Sequence, residues 1–229
     1  MPFDLADGQR IYGFWGRHPR LYWAGDWPIF FGRRAEIRRR AVDALGLKGG
    51  EAMLELACGP GVNFPLLERA IGTSGRLTAL DYSHEMLAAA RERARGEGWQ
   101  NVELVQGDAA RTELPAESFD AALCILGLSV IPDHQAAIAR VLAALKGGGR
   151  FVVLDGRPGP LRGRSRMLNP ALKPLFRYVY NADVEKDLVP DLEQAFEEVA
   201  VDEFNGGSLF IAAARKSAGP AGAPAASSW

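Results

Sequence analysis

From Glu51 to Arg215 the chain alternates short apolar runs with amphipathic stretches of helical period, the pattern of βαβ units on a largely parallel sheet. Strands are predicted at residues 52–57, 76–80, 102–106, 121–126 and 150–155. Helices fall between them at 63–71, at 84–95 with Ser83 as the N-cap, and at 133–145, the last stopped by Gly147-Gly148-Gly149. The pattern then changes. Residues 197–204 and 208–215 are two strand-like runs separated only by Asn205-Gly206-Gly207, which predicts an antiparallel hairpin closing the sheet. The expected fold class is therefore α/β, with a seven-stranded, mostly parallel sheet.

Three segments stand outside this repeat. Residues 1–45 gather Tyr12, Trp15, Tyr22-Trp23 and Trp27 ahead of Arg33-Arg34 and Arg38-Arg39-Arg40, and read as a helical cap packed on the same domain. The main domain is expected at 46–216, with an Arg-, Gly- and Pro-rich insertion at 156–174 near the carboxyl edge of the sheet and aromatics at 175–180. Residues 217–229 are nearly all Ala, Gly, Pro and Ser, too poor in apolar surface to offset ordering entropy, and are expected to form a flexible tail.

Composition narrows the classes. At 229 residues with 48% apolar and 24% charged residues, the chain has the balance of a globular protein with a large core. Its longest apolar runs, 121–125 and 209–214, are far short of the roughly 20 residues that span a bilayer. The first 20 residues carry Asp4, Asp7, Arg10, Arg17 and Arg20 with no apolar stretch of signal type, so a cytoplasmic location is expected. Cys58 and Cys124 are too few for a disulfide framework and have no zinc-like spacing with His; no metal is expected. A net charge of −1 argues against a nucleic-acid partner. The first 50 residues nevertheless hold nine Lys/Arg against five Asp/Glu, so the basic character sits at the front.

The chemistry is concentrated where the strand Leu54-Glu55-Leu56-Ala57 breaks into Cys58-Gly59-Pro60-Gly61 and a helix opens. Such a turn lets the backbone approach a ligand closely, with helix amides facing it. Asp81 stands 20 residues beyond Gly61, at the end of the second strand, where a carboxylate can accept from the two hydroxyls of a ribose. The dinucleotide fingerprint requires a further glycine where this chain has Phe64, so a pyrophosphate-binding dehydrogenase is disfavoured and a nucleoside ligand without phosphates fits better.

The succession Glu55…Gly59-Pro60-Gly61, Asp81-Tyr82-Ser83-His84-Glu85-Met86-Leu87, Gly107-Asp108-Ala109 and Ser118-Phe119-Asp120 resembles, over about 165 residues, the motifs of class I S-adenosylmethionine-dependent methyltransferases. The resemblance implies a Rossmann-like sheet and S-adenosylmethionine as cofactor. It also implies roles. Glu55 would anchor the methionine amino group through the turn, Gly59 and Gly61 would pass beneath the methionine part, and Asp81 would hold the ribose. Tyr82 and Met86 would lie beside the adenine, Asp108 would accept from its amino group, and Ala109 would donate its backbone amide. Cys124 and Ile125 would line the methionine side through main-chain contacts. Ala57 replaces the first glycine of the motif.

Within that superfamily the short chain, aromatic front and carboxyl hairpin are most similar to the ubiquinone/menaquinone C-methyltransferase and phosphatidylethanolamine N-methyltransferase group. This implies a small-molecule or amphiphilic, lipid- or quinone-like acceptor, bounded by residues 12–40 and 157–180. The aromatics and arginines of both segments suit such a molecule, and the basic front suits peripheral contact with an anionic membrane. Tyr22 is the expected contact from the cap to the cofactor's carboxylate. Methyl transfer from a sulfonium is an in-line displacement that needs a general base only for a protonated acceptor of high pKa; His18, His134 and Asp155 are the candidates. Two other readings remain: a nucleoside-cofactor-binding protein without methyl transfer, and a nicotinamide-dependent oxidoreductase.

Overall fold

The computed structural model describes residues 5–18, 30, 32–156, 186–204 and 207–219. The front of the chain forms α1 (Leu5–Arg17) and α2 (Arg34–Ala44). The repeat follows as β1 (Ala52–Leu56), α3 (Phe64–Ile71), β2 (Arg76–Asp81), α4 (His84–Glu97), β3 (Val102–Gln106) and β4 (Phe119–Ile125). A 3-10 turn at Leu128–Val130 leads to α5 (His134–Ala144) and β5 (Leu145–Gly156), and α6 (Leu188–Ala195), β6 (Glu198–Phe204) and β7 (Leu209–Arg215) complete the chain.

All seven strands form one sheet in the order β3-β2-β1-β4-β5-β7-β6. The first five are parallel, and β7 runs antiparallel between β5 and β6, so the predicted hairpin closes one edge. This is a Rossmann-like fold. β1 and β4 read as near-continuous apolar runs, interrupted by Glu55 and Asp120, because both of their faces are covered. On one face Phe119, Ile138, Phe151, Leu192 and Phe210 pack with α5 and α6; on the other Ile37, Leu45, Phe64, Leu67 and Leu123 pack with α2, α3 and α4. The edge strand β6 turns Glu198, Asp202 and Glu203 to solvent, which discourages pairing with another chain.

Local signals set the helix starts. Ser83 accepts from the Met86 amide at 3.3 Å and Asp133 from the Ala136 amide at 3.1 Å, each satisfying a first-turn donor. Two expectations are corrected. The glycine run does not simply stop a helix: α5 ends at Ala144, and β5 begins at Leu145 rather than residue 150. Buried Leu145 pairs with Phe119, and Gly147–Gly149 admit the returning chain, whose Lys216 donates to the Gly149 carbonyl at 2.9 Å. A side chain at Gly147 would meet the Ala218 carbonyl at 2.8 Å. The second correction is α6, for which no helix is expected; Asp187 caps it by accepting from Val189. Residues 220–229 lie outside the described residues.

α1 packs on α4 through its glycines. A Cβ built on Gly13 would meet the Glu85 carboxylate at 3.3 Å, and one on Gly16 would meet the Glu85 Cβ at 2.7 Å and its carbonyl carbon at 2.8 Å. The second approach is to backbone, which cannot swing aside. Gly16→Ala is therefore expected to lift α1 from α4 at a cost of about 1–3 kcal/mol. The check is limited proteolysis at Arg10 and Arg17, which should accelerate although the core melts as before; unaltered cleavage would contradict this packing.

Candidate functional site

Strand order reverses between β1 and β4, so their connections leave the sheet in opposite senses and a crevice opens beyond their carboxyl ends. The cleft there encloses about 810 Å³ of atom-free space, part of it open to solvent. Ala57 and Gly59 line it after β1, Asp81 and Tyr82 after β2, Asp108 and Ala109 after β3, and Ile125 and Leu126 at the end of β4. Met86 comes from α4, Val130 from the 3-10 turn, Ile131 and Pro132 from the segment after it, and Gly8 and Tyr12 from α1.

The turn after β1 departs from ordinary backbone at Ala57, Gly59 and Gly61, with φ of 49°, 55° and 70°. Gly59 has open space where a Cβ would stand, whereas one at Gly61 would strike the buried Phe64 ring at 2.6 Å. The first leaves room for a ligand against the backbone. The second explains Phe64, whose ring fills the helix side of the turn and meets Trp99 edge-on.

Two carboxylates carry the turn. Asp81 accepts from the Gly59 amide at 2.7 Å and from the Ser83 amide at 2.9 Å, tying β1's turn to β2; burial raises its carboxyl above the usual range against these donors. Glu55 is enclosed within β1. Its Oε1 accepts from Asn63 Nδ2 at 2.6 Å, and Asn63 Oδ1 accepts from Arg38 Nη1 at 2.9 Å. Burial pushes the Glu55 carboxyl up to about 8, opposed by Asn63 and the Arg38 charge, and its Oε2 has no hydrogen-bond partner among the described residues. Asn63 occupies the N-cap position of α3 without capping it, because its side chain serves Glu55.

The structure brings Gly59, Asp81, Tyr82, Met86, Asp108, Ala109 and Ile125 to the cleft. Asp108 also accepts from the Ala110 amide at 2.9 Å. Glu55 and Gly61 lie behind the lining, and Cys124 is fully buried in β4 with its thiol raised well above the ordinary value by burial. Tyr22 lies outside the described residues. The base candidates are engaged elsewhere. Asp155 accepts from the Gly156 amide at 2.7 Å and the Ser129 amide at 3.1 Å, bracing the 3-10 turn. His134 Nε2 stands 2.8 Å from Asp191 Oδ2, joining α5 to α6, and His18 Nδ1 lies 2.9 Å from the Phe14 carbonyl. Sequence reasoning included Tyr12 and Arg38 only as members of the 12–40 segment expected to bound the acceptor, and missed Leu126 and residues 130–132 as lining, together with Asn63. Arg38 lies on one helical face with Ala41, Val42 and Leu45, which marks it as the inward-facing member of its arginine run.

Residues 53–149 match the methyltransferase-domain family. A demethylmenaquinone methyltransferase of Listeria welshimeri is 28% identical over 151 residues, which is 66% of this chain and 62% of that protein. The chain thus spans less than two thirds of that relative's length. Among solved structures, an S-adenosylmethionine-dependent methyltransferase from Aquifex aeolicus superposes with a TM-score of 0.59 at 20% identity, covering 78% of this chain and 88% of that one. A geranyl diphosphate C-methyltransferase from Streptomyces coelicolor, solved with Mg2+, geranyl diphosphate and S-adenosylhomocysteine, gives 0.66 at 15% identity with 80% of both chains covered. The chain is thus similar to S-adenosylmethionine-dependent methyltransferases, with the methyltransferase-domain match confined to residues 53–149. The cofactor of that family is S-adenosylmethionine.

The buried carboxyl of Glu55 makes stability depend on pH. Unfolded, a glutamate ionises near 4.3, whereas folded Glu55 keeps its proton to about 8, so between these values the folded state binds more protons. Its contribution is complete below pH 4 and is lost as pH rises through 8. Glu55→Gln cannot titrate. In the empty protein it should flatten the decline of melting temperature between pH 5 and 8, an effect on the order of a few kcal/mol; curves parallel to those of the unmodified protein would contradict the burial argument.

Proposed function

We propose that the chain transfers the methyl group of S-adenosylmethionine to an amphiphilic, quinone-like small molecule. The observation carrying this reading is one cleft lined both by carboxylates, Asp81 and Asp108, and by an apolar set, Leu126, Val130, Ile131, Pro132 and Tyr12. The cofactor fits the first set: Gly59 leaves a cradle with nothing where a Cβ would stand, and Glu55 beneath the turn keeps one buried oxygen unpaired among the described residues.

Asp81 would hold the ribose hydroxyls, Tyr82 and Met86 would flank the adenine, and Asp108 with the Ala109 amide would receive the adenine edge. Gly59 and Gly61 would shape the bed of the methionine part, with Glu55 acting through the turn and the main chain of Cys124 and Ile125 opposite. When bound, the cofactor supplies a methyl group made electrophilic by the sulfonium. The chain's own work is then alignment and the exclusion of water, for which α1 and the 130–132 wall supply the apolar lining. The quinone acceptor of the Listeria relative and the prenyl acceptor of the Streptomyces structure both suit that lining. The basic front favours an acceptor presented at an anionic membrane. Among the described residues no helix is long and apolar enough to cross one.

Two measurements test this. Asp81→Ala should weaken S-adenosylhomocysteine binding at least tenfold by calorimetry, since hydrogen bonds to a charged acceptor contribute roughly 1.5–3 kcal/mol each; unchanged affinity, or NADH binding in its place, would overturn the cofactor assignment. With the cofactor bound, turnover should appear with a short-chain demethylated naphthoquinol and rise when anionic vesicles carry it. Turnover confined to water-soluble amines or alcohols would overturn the acceptor class.

A further inference from the structure

We propose that Arg38 and Asn63 are positioning residues that clamp the two ends of the glycine turn through Glu55, making α2 a working part of the cofactor site. The inference rests on reading that turn as the cofactor site.

The geometry is a buried chain with only one consistent direction. Arg38, Asn63 and Glu55 are 6%, 3% and 1% exposed. A guanidinium can only donate, so Arg38 Nη1 claims Asn63 Oδ1 at 2.9 Å and turns the amide so that Nδ2 faces Glu55 Oε1 at 2.6 Å. Without that arginine the amide can turn its oxygen to the Glu55 carboxyl, which keeps its proton up to about 8 and can donate to it. Glu55 belongs to the last turn of β1 and Asn63 immediately precedes α3, so their bond closes the base of the loop that holds Ala57, Gly59 and Gly61. Those residues all have left-handed φ, a conformation with little intrinsic preference to persist.

Further contacts fix the rest of the loop. Asp81 takes the Gly59 amide at 2.7 Å, and Arg93 Nε reaches from α4 to the Pro60 carbonyl at 3.0 Å. The base of the loop has only the Asn63 bridge among the side-chain bonds described. Arg38 is itself held over the Phe30 ring at 5.3 Å, and it precedes the region that matches the methyltransferase family. The groups facing Glu55 electrostatically are Arg38 from α2, Asp81 from β2 and the Cys58 and Cys124 thiols. Arg38 is the cation among them.

The experiment compares Arg38→Met, which keeps an apolar stem, with Arg38→Lys, which restores a donor. S-adenosylhomocysteine affinity is measured by calorimetry, and backbone amide exchange over residues 57–63 is measured in the empty protein. Arg38→Met should bind about tenfold more weakly and exchange faster within 57–63 while β4 and β5 keep their protection; Arg38→Lys should recover affinity to within about threefold. The decline of stability with pH should also move to higher pH in Arg38→Met, because Glu55 loses the cation that favours its ionised form. A folded Arg38→Met with affinity within twofold and unaltered exchange would overturn the clamp. If Arg38→Met does not fold, Asn63→Ser, too short to bridge Arg38 and Glu55, is read by the same criteria. Failure of the unmodified protein to bind S-adenosylhomocysteine would overturn the cofactor reading instead, and exchange over 57–63 would still decide the clamp.

Discussion

A carboxylate in the middle of a parallel sheet is the constraint from which the site follows. β1 lies between β2 and β4 and is covered on both faces, so Glu55 has no water to solvate it and must find a donor or keep its proton. The Asn63 amide supplies the donor, and to reach it the chain must double back within eight residues of Glu55. That return is the glycine turn. Its left-handed residues, the Phe64 ring beneath Gly61 and the loss of capping at α3 are consequences of one bond being made where no other solvation is available.

The same economy governs the other strand ends. Asp81 and Asp155 close β2 and β5, and each spends its oxygens on backbone amides of the loops that follow or adjoin. The two differ in what lies beyond them. Asp81 faces the cleft at the strand-order reversal and has lone pairs directed to open space as well as to protein, whereas Asp155 is sealed against the 3-10 turn. A carboxylate at a strand's carboxyl end therefore does not by itself open onto the cleft. Its position relative to the reversal decides.

Much of this was legible in the chain because the relevant signals are local. Apolar runs and their periods gave the strands and most helices, Ser83 and Asp133 declared helix starts, and Asn205-Gly206-Gly207 announced the hairpin. The glycine turn and Asp81 marked a nucleoside-type crevice because their spacing reflects one βαβ unit. What escaped depends on contacts distant in sequence. The early start of β5 needs the chain beyond β7 to lie against Gly147–Gly149, which local rules read as a helix stop. Arg38 reads with Arg39 and Arg40 as one basic run of the cap, because its partner Asn63 stands 25 residues away and only the helical face shared with Ala41 and Val42 separates it from its neighbours. Short α6 escaped because it spans only eight residues and has Pro190 in its first turn, although its apolar residues keep helical spacing.

The cleft is built from elements of two kinds. The carboxylates are held wholly by strand ends and connections of the repeat, so their geometry is tied to sheet register and can vary little. The apolar lining takes Gly8 and Tyr12 from α1 and residues 130–132 from a loop whose carbonyl at Ile131 is held by Lys186 at 2.7 Å. Neither α1 nor Lys186 belongs to the region matched to the methyltransferase family, and neither contributes a strand. Substitutions there change the size and polarity of the apolar wall without disturbing β1, its turn or Asp81. The approach of α1 through Gly13 and Gly16 adds a second consequence: a helix seated by the absence of side chains buries little apolar area at that contact, so its docking is weak compared with the core on which it rests. The wall proposed to face the acceptor is therefore the part of the cleft most easily displaced, and the turn after β1 the part least so.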